Sequence, residues 1–238
     1  MKFSTIIALA ATIFTGVIAA PITIIANTIT TNTNTNTTTS PLIITQRDIT
    51  TTCTTQAKGL LPTPGTTERY HEIYPLTLWP TFDCLFEINR ASINMQNPTP
   101  SEADQVKQAV LTAAGQTALD PRVLFAILMQ ESHGELRVGH TIQPDTSAVQ
   151  NSGMMQCRGC VGAAQIPRNC PVDQGLVDEM VLGGARFFKG ELDRNSGDVF
   201  KAMRAYNSGS ADWDLNNPFF ATGAYVWDCA NRLVGWVN

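Results

Sequence analysis

The sequence predicts a mainly α-helical domain with a buried central helix, held by disulfides and preceded by segments that do not join its core. Three observations carry this expectation. From residue 81 onward, apolar residues recur mostly at helical rather than alternating spacing, with capping residues and prolines at the starts. One of these segments, beginning at Pro121, is apolar on nearly every side, as a helix packed from all directions must be. Finally, six cysteines follow a chain start that reads as an export signal, and exported chains pair their cysteines.

Residues 1–20 form that signal: Lys2 gives a positive start, Ile6 to Ile18 an apolar run, and Ala19-Ala20 a small-residue exit before Pro21. The run is too short to cross about 30 Å of hydrocarbon, and no later segment is long and apolar enough to span, so a secreted chain without a membrane anchor is expected. Removal of Lys2 takes the formal charge from −4 to −5, with 15 basic against 20 acidic residues. A mildly acidic chain is a poor partner for nucleic acid. It is also less suited to an anionic polymer than a basic one, so binding to such a polymer is expected at low pH.

Residues 21–55 form a Thr/Asn-rich disordered segment or propeptide. Thr28 to Ser40 is almost entirely Thr and Asn and has too little apolar surface to offset the entropy of ordering. It carries Asn36-Thr37-Thr38, the one N-glycosylation sequon, and reads as an O-glycosylated spacer. Gln46-Arg47-Asp48 is the alternative mark of a propeptide end. Residues 56–98 comprise a proline-rich stretch without clear period, expected as an extended arm anchored by Trp79, followed by a first helix over Phe82 to Met95.

Residues 99–238 form the main domain. Ser101-Glu102-Ala103-Asp104 opens a second helix running to about Thr117, with Ser101 as N-cap. Asp120-Pro121 opens the third, a capping Asp followed by proline at the first helical position. Its body, Val123 to Met129, is the predicted central helix, and Glu131 lies at its C-terminal end. Val172 to Leu192 reads as another helix, whose Gly183-Gly184 pair admits a neighbouring helix at close range. A turn at residues 195–198 leads into a helix over Val199 to Tyr206, and a C-terminal helix carries Cys229.

The chemistry gathers at three places. Glu131 stands where the negative end of a helix meets an apolar neighbourhood, and both raise a carboxyl pKa, as a general acid requires. A solvated surface glutamate is the plainer reading of Glu131 alone. Ser152-Gly153-Met154-Met155-Gln156 and Ala205-Tyr206-Asn207-Ser208-Gly209 are rich in small and amide residues, suited to walls of a groove for a neutral, hydroxyl-rich polymer. Taken in order, Glu131-Ser132, Gly153-Met154-Met155-Gln156 and Ala205-Tyr206-Asn207-Ser208-Gly209 resemble the goose-type lysozyme and lytic transglycosylase family. That family has a Glu-Ser pair ending a buried helix, a Gly-Leu-Met-Gln segment and an Ala-Tyr-Asn-x-Gly segment. The resemblance runs from about Thr99 to the C-terminus, with Met154 in place of the family's Leu, and Cys157-Arg158-Gly159-Cys160 departs from the family after its Gln.

The resemblance implies a lysozyme-like fold and cleavage of the β-1,4 bond between amino sugars of peptidoglycan, by a monomer needing neither metal nor organic cofactor. Glu131 would be the general acid, Gln156 and Asn207 would bind sugar or backbone groups, and Tyr206 would point its hydroxyl toward the acid. Ser132, Gly153 and Met155 belong to the same implied substrate site. Glu131-Ser132-His133 matches the goose-type branch, which makes Asp145, in the loop before Gly153, the candidate base, about 6.5 to 9.5 Å across the groove. A solvated loop Asp is the competing reading, and Glu135 is a rival. His133 reads as a helix C-cap rather than a sugar contact. Trp213, directly after the third motif and between two aspartates, is the candidate stacking ring, although most tryptophans are core residues. The alternatives are a lytic transglycosylase, a chitin-cleaving enzyme of the same fold, or a non-catalytic sugar-binding protein.

Of the six cysteines, Cys157, Cys160 and Cys170 have a spacing that also suits zinc, but export and an even count favour three disulfides. The expected pairs join Cys53 to Cys84 and use Cys229 to pin the C-terminal helix to the Cys157–Cys170 loop.

Overall fold

The computed structural model describes residues 53–142, 149–211, 214–217 and 221–238. The chain divides into two units, Met1–Ile44 and Thr45–Asn238, and every described residue lies in the second. The segment read from sequence as an export signal and the Thr/Asn-rich run therefore lie outside the described residues. The second unit is mainly helical, with a small sheet. Its helices are α1 (Thr67–Ile73), α2 (Phe82–Gln96), α3 (Pro100–Thr117), α4 (Pro121–Ser132), α5 (Gln174–Arg194), α6 (Val199–Ser208) and α7 (Tyr225–Leu233). Strands β1 (Thr141–Ile142), β2 (Gln150–Ser152) and β3 (Cys157–Arg158) pair antiparallel in that order. No helix among the described residues is long and apolar enough to cross a membrane.

The sequence expectation of a buried central helix holds. Every residue from Val123 to Met129 of α4 is at most 5 % exposed. That follows from α4 touching α2, α3 and α7 at once, which leaves no face for water. Asp120 caps its N-terminus by accepting the Arg122 backbone N–H at 2.9 Å, and Pro121 occupies the position that needs no N–H partner. Truncating Leu124, Ile127 or Leu128 to Ala, all fully buried, costs about 2 to 5 kcal/mol by the usual core scale. Around α4, α3 lies along α5, α5 along α6, and α6 along α7.

Several local expectations are corrected. The stretch before residue 80 is not merely extended, because α1 and a 3₁₀ turn (Leu76–Leu78) fold within it. Thr66 caps α1, and Tyr70 and Tyr74, one helical turn apart, are both fully buried. Trp79 anchors the segment as expected, 5 % exposed and donating its indole N–H to the Tyr74 carbonyl. The N-cap of α3 is Thr99, not Ser101, because Pro100 takes the first helical position. The C-terminal helix is as expected, but the three-stranded sheet has strands of two or three residues, too short to leave a period in sequence.

The disulfides also differ from expectation. Cys53 is bonded to Cys84, as expected, tying the arm to α2. Cys157 is bonded to Cys160 and not to Cys229, while Cys170 is a free exposed thiol and Cys229 a free, fully buried one. Two bridges thus replace the expected three. Burial pushes the Cys229 thiol well above its ordinary range, so it behaves as a small apolar core group.

Candidate active site around Glu131

The site begins with the way α4 stops. His133 adopts the left-handed conformation with φ 53°, and its backbone N–H reaches back to the Met129 carbonyl at 3.2 Å. Gly134 follows at φ 77°, with Ile93 so close that a Cβ would come within 2.9 Å of it. Asn97 then fixes the turn: its amide donates to the Gly134 and Ile93 carbonyls and its oxygen accepts from the Leu136 N–H. Ser132, placed among the substrate contacts by the resemblance, is buried and spends its hydroxyl on the Leu128 carbonyl and the Gly134 N–H. Its role in the structure is to close the helix. His133 is the C-cap that sequence suggested.

This rigid end presents the half-buried Glu131 to two tyrosines. The Tyr225 hydroxyl, from the first residue of α7, donates to Glu131 Oε1 at 2.6 Å. Burial raises the Glu131 carboxyl from an ordinary 4.5 to about 7, and the Tyr225 hydrogen bond pulls in the opposite direction by favouring the carboxylate. Tyr206 and Tyr225 are held well above the usual phenol range by burial first, then by the nearby Glu131 charge. Cys229 completes the cluster, its thiol raised by burial and, to a lesser degree, by Glu131. With burial the largest influence on the acid and no cation among the others, this is an environment in which a carboxylic acid keeps its proton up to neutral pH.

Helices α4 and α7 are locked together beside the acid. Gln130 donates to Asp228 Oδ2 at 3.3 Å and accepts from Arg232 Nε at 3.1 Å. Lys58 reaches Asp228 at 2.6 Å from the arm.

The Tyr206 hydroxyl, expected toward the acid, is bonded elsewhere: it donates to the Met155 carbonyl at 2.6 Å. That bond pins the second motif. Gly153 (φ 72°) opens a turn in which a Cβ would sit 2.4 Å from the Val161 carbonyl oxygen, so only glycine fits. Met154 and Met155 are both fully buried. Met155 fills the space left by Gly184, where a Cβ would approach the Met155 Cβ at 2.4 Å. Gly183 faces the Cys157–Cys160 bridge in the same way. The glycine pair of α5 thus admits this turn rather than a neighbouring helix.

Gln156, half-buried and with φ 45°, donates its amide to the Gly139 and Gly153 carbonyls and accepts from Thr141. Asn207 accepts from Arg204 and from the Thr222 backbone N–H. Gln156 therefore braces its own turn, and Asn207 the chain after α6. Gly153 and Met155 shape the turn from inside. Asp145 and Trp213 lie outside the described residues. Glu135 stands 3.7 Å from Arg168, which offsets its charge. Tyr225 is the contact of Glu131 that sequence reasoning missed; it lies 94 residues from Glu131 in the chain, and no local pattern distinguishes it from other helical tyrosines.

Among the described residues, no group of three or more His, Cys, Asp or Glu side chains forms a metal site. A cavity of about 200 Å³ lies at the other end of α4, lined by Trp79, Leu119, Asp120, Val123, Phe188 and Val199 among others. Its acid, Asp120, is engaged as helix cap and in an ion pair with Arg122 at 2.6 Å, whereas Glu131 has its ionisation perturbed by its surroundings. The chemistry therefore points to Glu131 rather than to the cavity. Comparison of the chain with protein-family models, curated proteins and solved structures gives no match.

Proposed function

We propose that this chain is a secreted, lysozyme-type glycosidase that cleaves the β-1,4 bond between amino sugars of peptidoglycan, with Glu131 as its general acid. The observation that carries the reading is the Glu131 carboxyl at the end of α4, raised to about 7 and held by Tyr225. The order of the three motifs and the mainly helical architecture around a buried central helix support the family resemblance and the lysozyme-like fold it implies.

Cleavage of such a bond passes through an oxocarbenium-like state, and the departing sugar oxygen needs a proton. Glu131 supplies it. Because the Tyr225 O–H donates to Oε1, Oε2 is the oxygen free to carry that proton. After transfer, the same Tyr225 bond strengthens onto the new carboxylate, so the hydrogen bond stabilises charge as it develops. Asp145 is proposed as the base that activates water on the opposite sugar face, since Glu135 is paired with Arg168. Braced walls formed by the Gly153–Gln156 turn and the residues after α6 would hold the polymer across this acid, with Trp213 as the proposed stacking ring.

The test is clearing of a purified peptidoglycan suspension, with chitin oligomers in parallel. The wild-type chain is expected to clear peptidoglycan, and Glu131→Gln to lose ~10² to 10⁴ of that rate while remaining folded. Full activity in a folded Gln variant would remove the assignment. Activity on chitin oligomers alone would move the substrate to chitin.

A further inference from the structure

We infer that Arg204, through its grip on the chain entering α7, is a positioning residue that sets Tyr225 against Glu131. The inference rests on the glycosidase reading for its catalytic meaning, although the coupling itself is a property of the fold.

Sixteen residues, 209–224, join α6 to α7, a connection long enough that its end point needs fixing from elsewhere. Arg204, fully buried on α6, provides the fixing. Its Nη1 donates to the Leu215 carbonyl and to the Thr222 carbonyl, each at 3.0 Å. Its Nη2 donates to Asn207 Oδ1, and its Nε donates to Ser208 Oγ at 3.3 Å. Asn207 Oδ1 in turn accepts the Thr222 N–H at 3.1 Å. Thr222 is thus held at both its backbone groups, the carbonyl directly by Arg204 and the N–H through Asn207.

Thr222 is also where α7 begins to form, because its carbonyl accepts the Tyr225 N–H at 3.2 Å. Its exposed position makes this double anchorage the more necessary. One residue therefore links the buried guanidinium to the tyrosine whose hydroxyl contacts the acid. The guanidinium additionally lies 5.9 Å from the centroid of the Tyr225 ring, so it restrains the ring as well as its backbone. A lysine in its place keeps the charge but offers a single nitrogen, which cannot serve Leu215, Thr222, Asn207 and Ser208 together. The third motif acquires a role from this arrangement: Asn207 braces the loop that delivers Tyr225.

The test reads the Glu131 carboxyl directly by ¹³C NMR titration, assigned with Glu131→Gln, and needs no substrate. Tyr225→Phe removes a hydrogen bond that favours the carboxylate, so the Glu131 titration is expected to rise by roughly 0.5 to 1 pH unit. Arg204→Lys is expected to raise it in the same direction, and the double variant to rise no further than Tyr225→Phe alone. Should Arg204→Lys fail to fold, Asn207→Ala releases Thr222 from its other side and is expected to behave alike. A residue that merely stabilises the fold would lower the melting temperature and leave the titration in place. That result in both variants, or additive rises in the double variant, would overturn the inference. Coupling found in a protein that clears no peptidoglycan would overturn the glycosidase reading and leave the positioning role standing.

Discussion

Replacing Glu131 by Gln should make the protein less active and, at neutral pH, more stable. A carboxyl raised from 4.5 to about 7 binds a proton in the folded state across a window where the unfolded chain has released it. The unfolded state then holds fewer protons, so stability falls as pH rises from about 4.5 to 7 and stays low above that window. The rise of about 2.5 units, 7 minus 4.5, corresponds to ~3 kcal/mol at most, and partial solvent access to Glu131 brings this nearer to ~2 kcal/mol. Gln has the same shape, still accepts the Tyr225 hydrogen bond and does not titrate. The variant should therefore escape the loss.

The assay is urea unfolding of both proteins between pH 4 and 8, reading the difference in stability. His71 has a pH dependence of its own: its 3.1 Å bond to Asp198 raises it above the ordinary imidazole value, and the stability this adds disappears as pH rises through its folded value. It is present in both proteins and cancels in the difference. The variant is expected to gain ~2 kcal/mol on the wild type between pH 4 and 8. Parallel pH profiles, or a variant that is the weaker protein at pH 8, would refute a raised Glu131.

Three further outcomes follow from the same geometry. Tyr225→Phe should move the basic limb of the activity profile upward by roughly 0.5 to 1 pH unit, because the lost bond favoured the carboxylate; an unmoved limb would show that Tyr225 does not set the acid. Thiol titration without reductant should find one reactive cysteine in the native protein, Cys170, and two after denaturation, once Cys229 is released; zero or four in denaturant would contradict the two bridges. Asp145→Asn should lower hydrolysis at least about tenfold with little change in stability, and full activity would leave Glu131 as the sole catalytic carboxylate.

Helix positions were legible in the sequence wherever a local device wrote them. Asp120-Pro121 marked the start of α4 and the apolar run marked its burial, because capping and solvent exclusion act within one helix. The buried setting of Glu131 was only half legible: its helix end and apolar neighbours are local, yet a solvated surface residue was the plainer reading until the three motifs were taken together. What escaped was set by contacts between distant segments. Tyr225 meets Glu131 only because α7 is docked on α4, and nothing near Tyr225 in the chain encodes that docking. Tyr206 has the right motif, yet its hydroxyl takes the Met155 carbonyl, a partner that exists only once the turn has folded under α5. The glycine pair of α5 announced a close approach, but the partner is the Met155 turn and the Cys157–Cys160 bridge and not the expected helix, because the partner is set by the fold. Cysteine pairing was legible for Cys53 and Cys84 and not for Cys157, since sequence spacing does not say which Sγ atoms face each other.

The most direct measurement of the central claim is mass spectrometry of the soluble fragments released from purified peptidoglycan by the wild-type chain, with Glu131→Gln as control. The account predicts disaccharide-peptide fragments with reducing amino-sugar ends from the wild type and none from the variant. Fragments lighter by one water at that end would keep Glu131 as the acid and replace Asp145 by the substrate's own hydroxyl. Release of no fragments by the wild type, or equal release by Glu131→Gln, would contradict the claim that Glu131 is the proton donor of a peptidoglycan-cleaving enzyme.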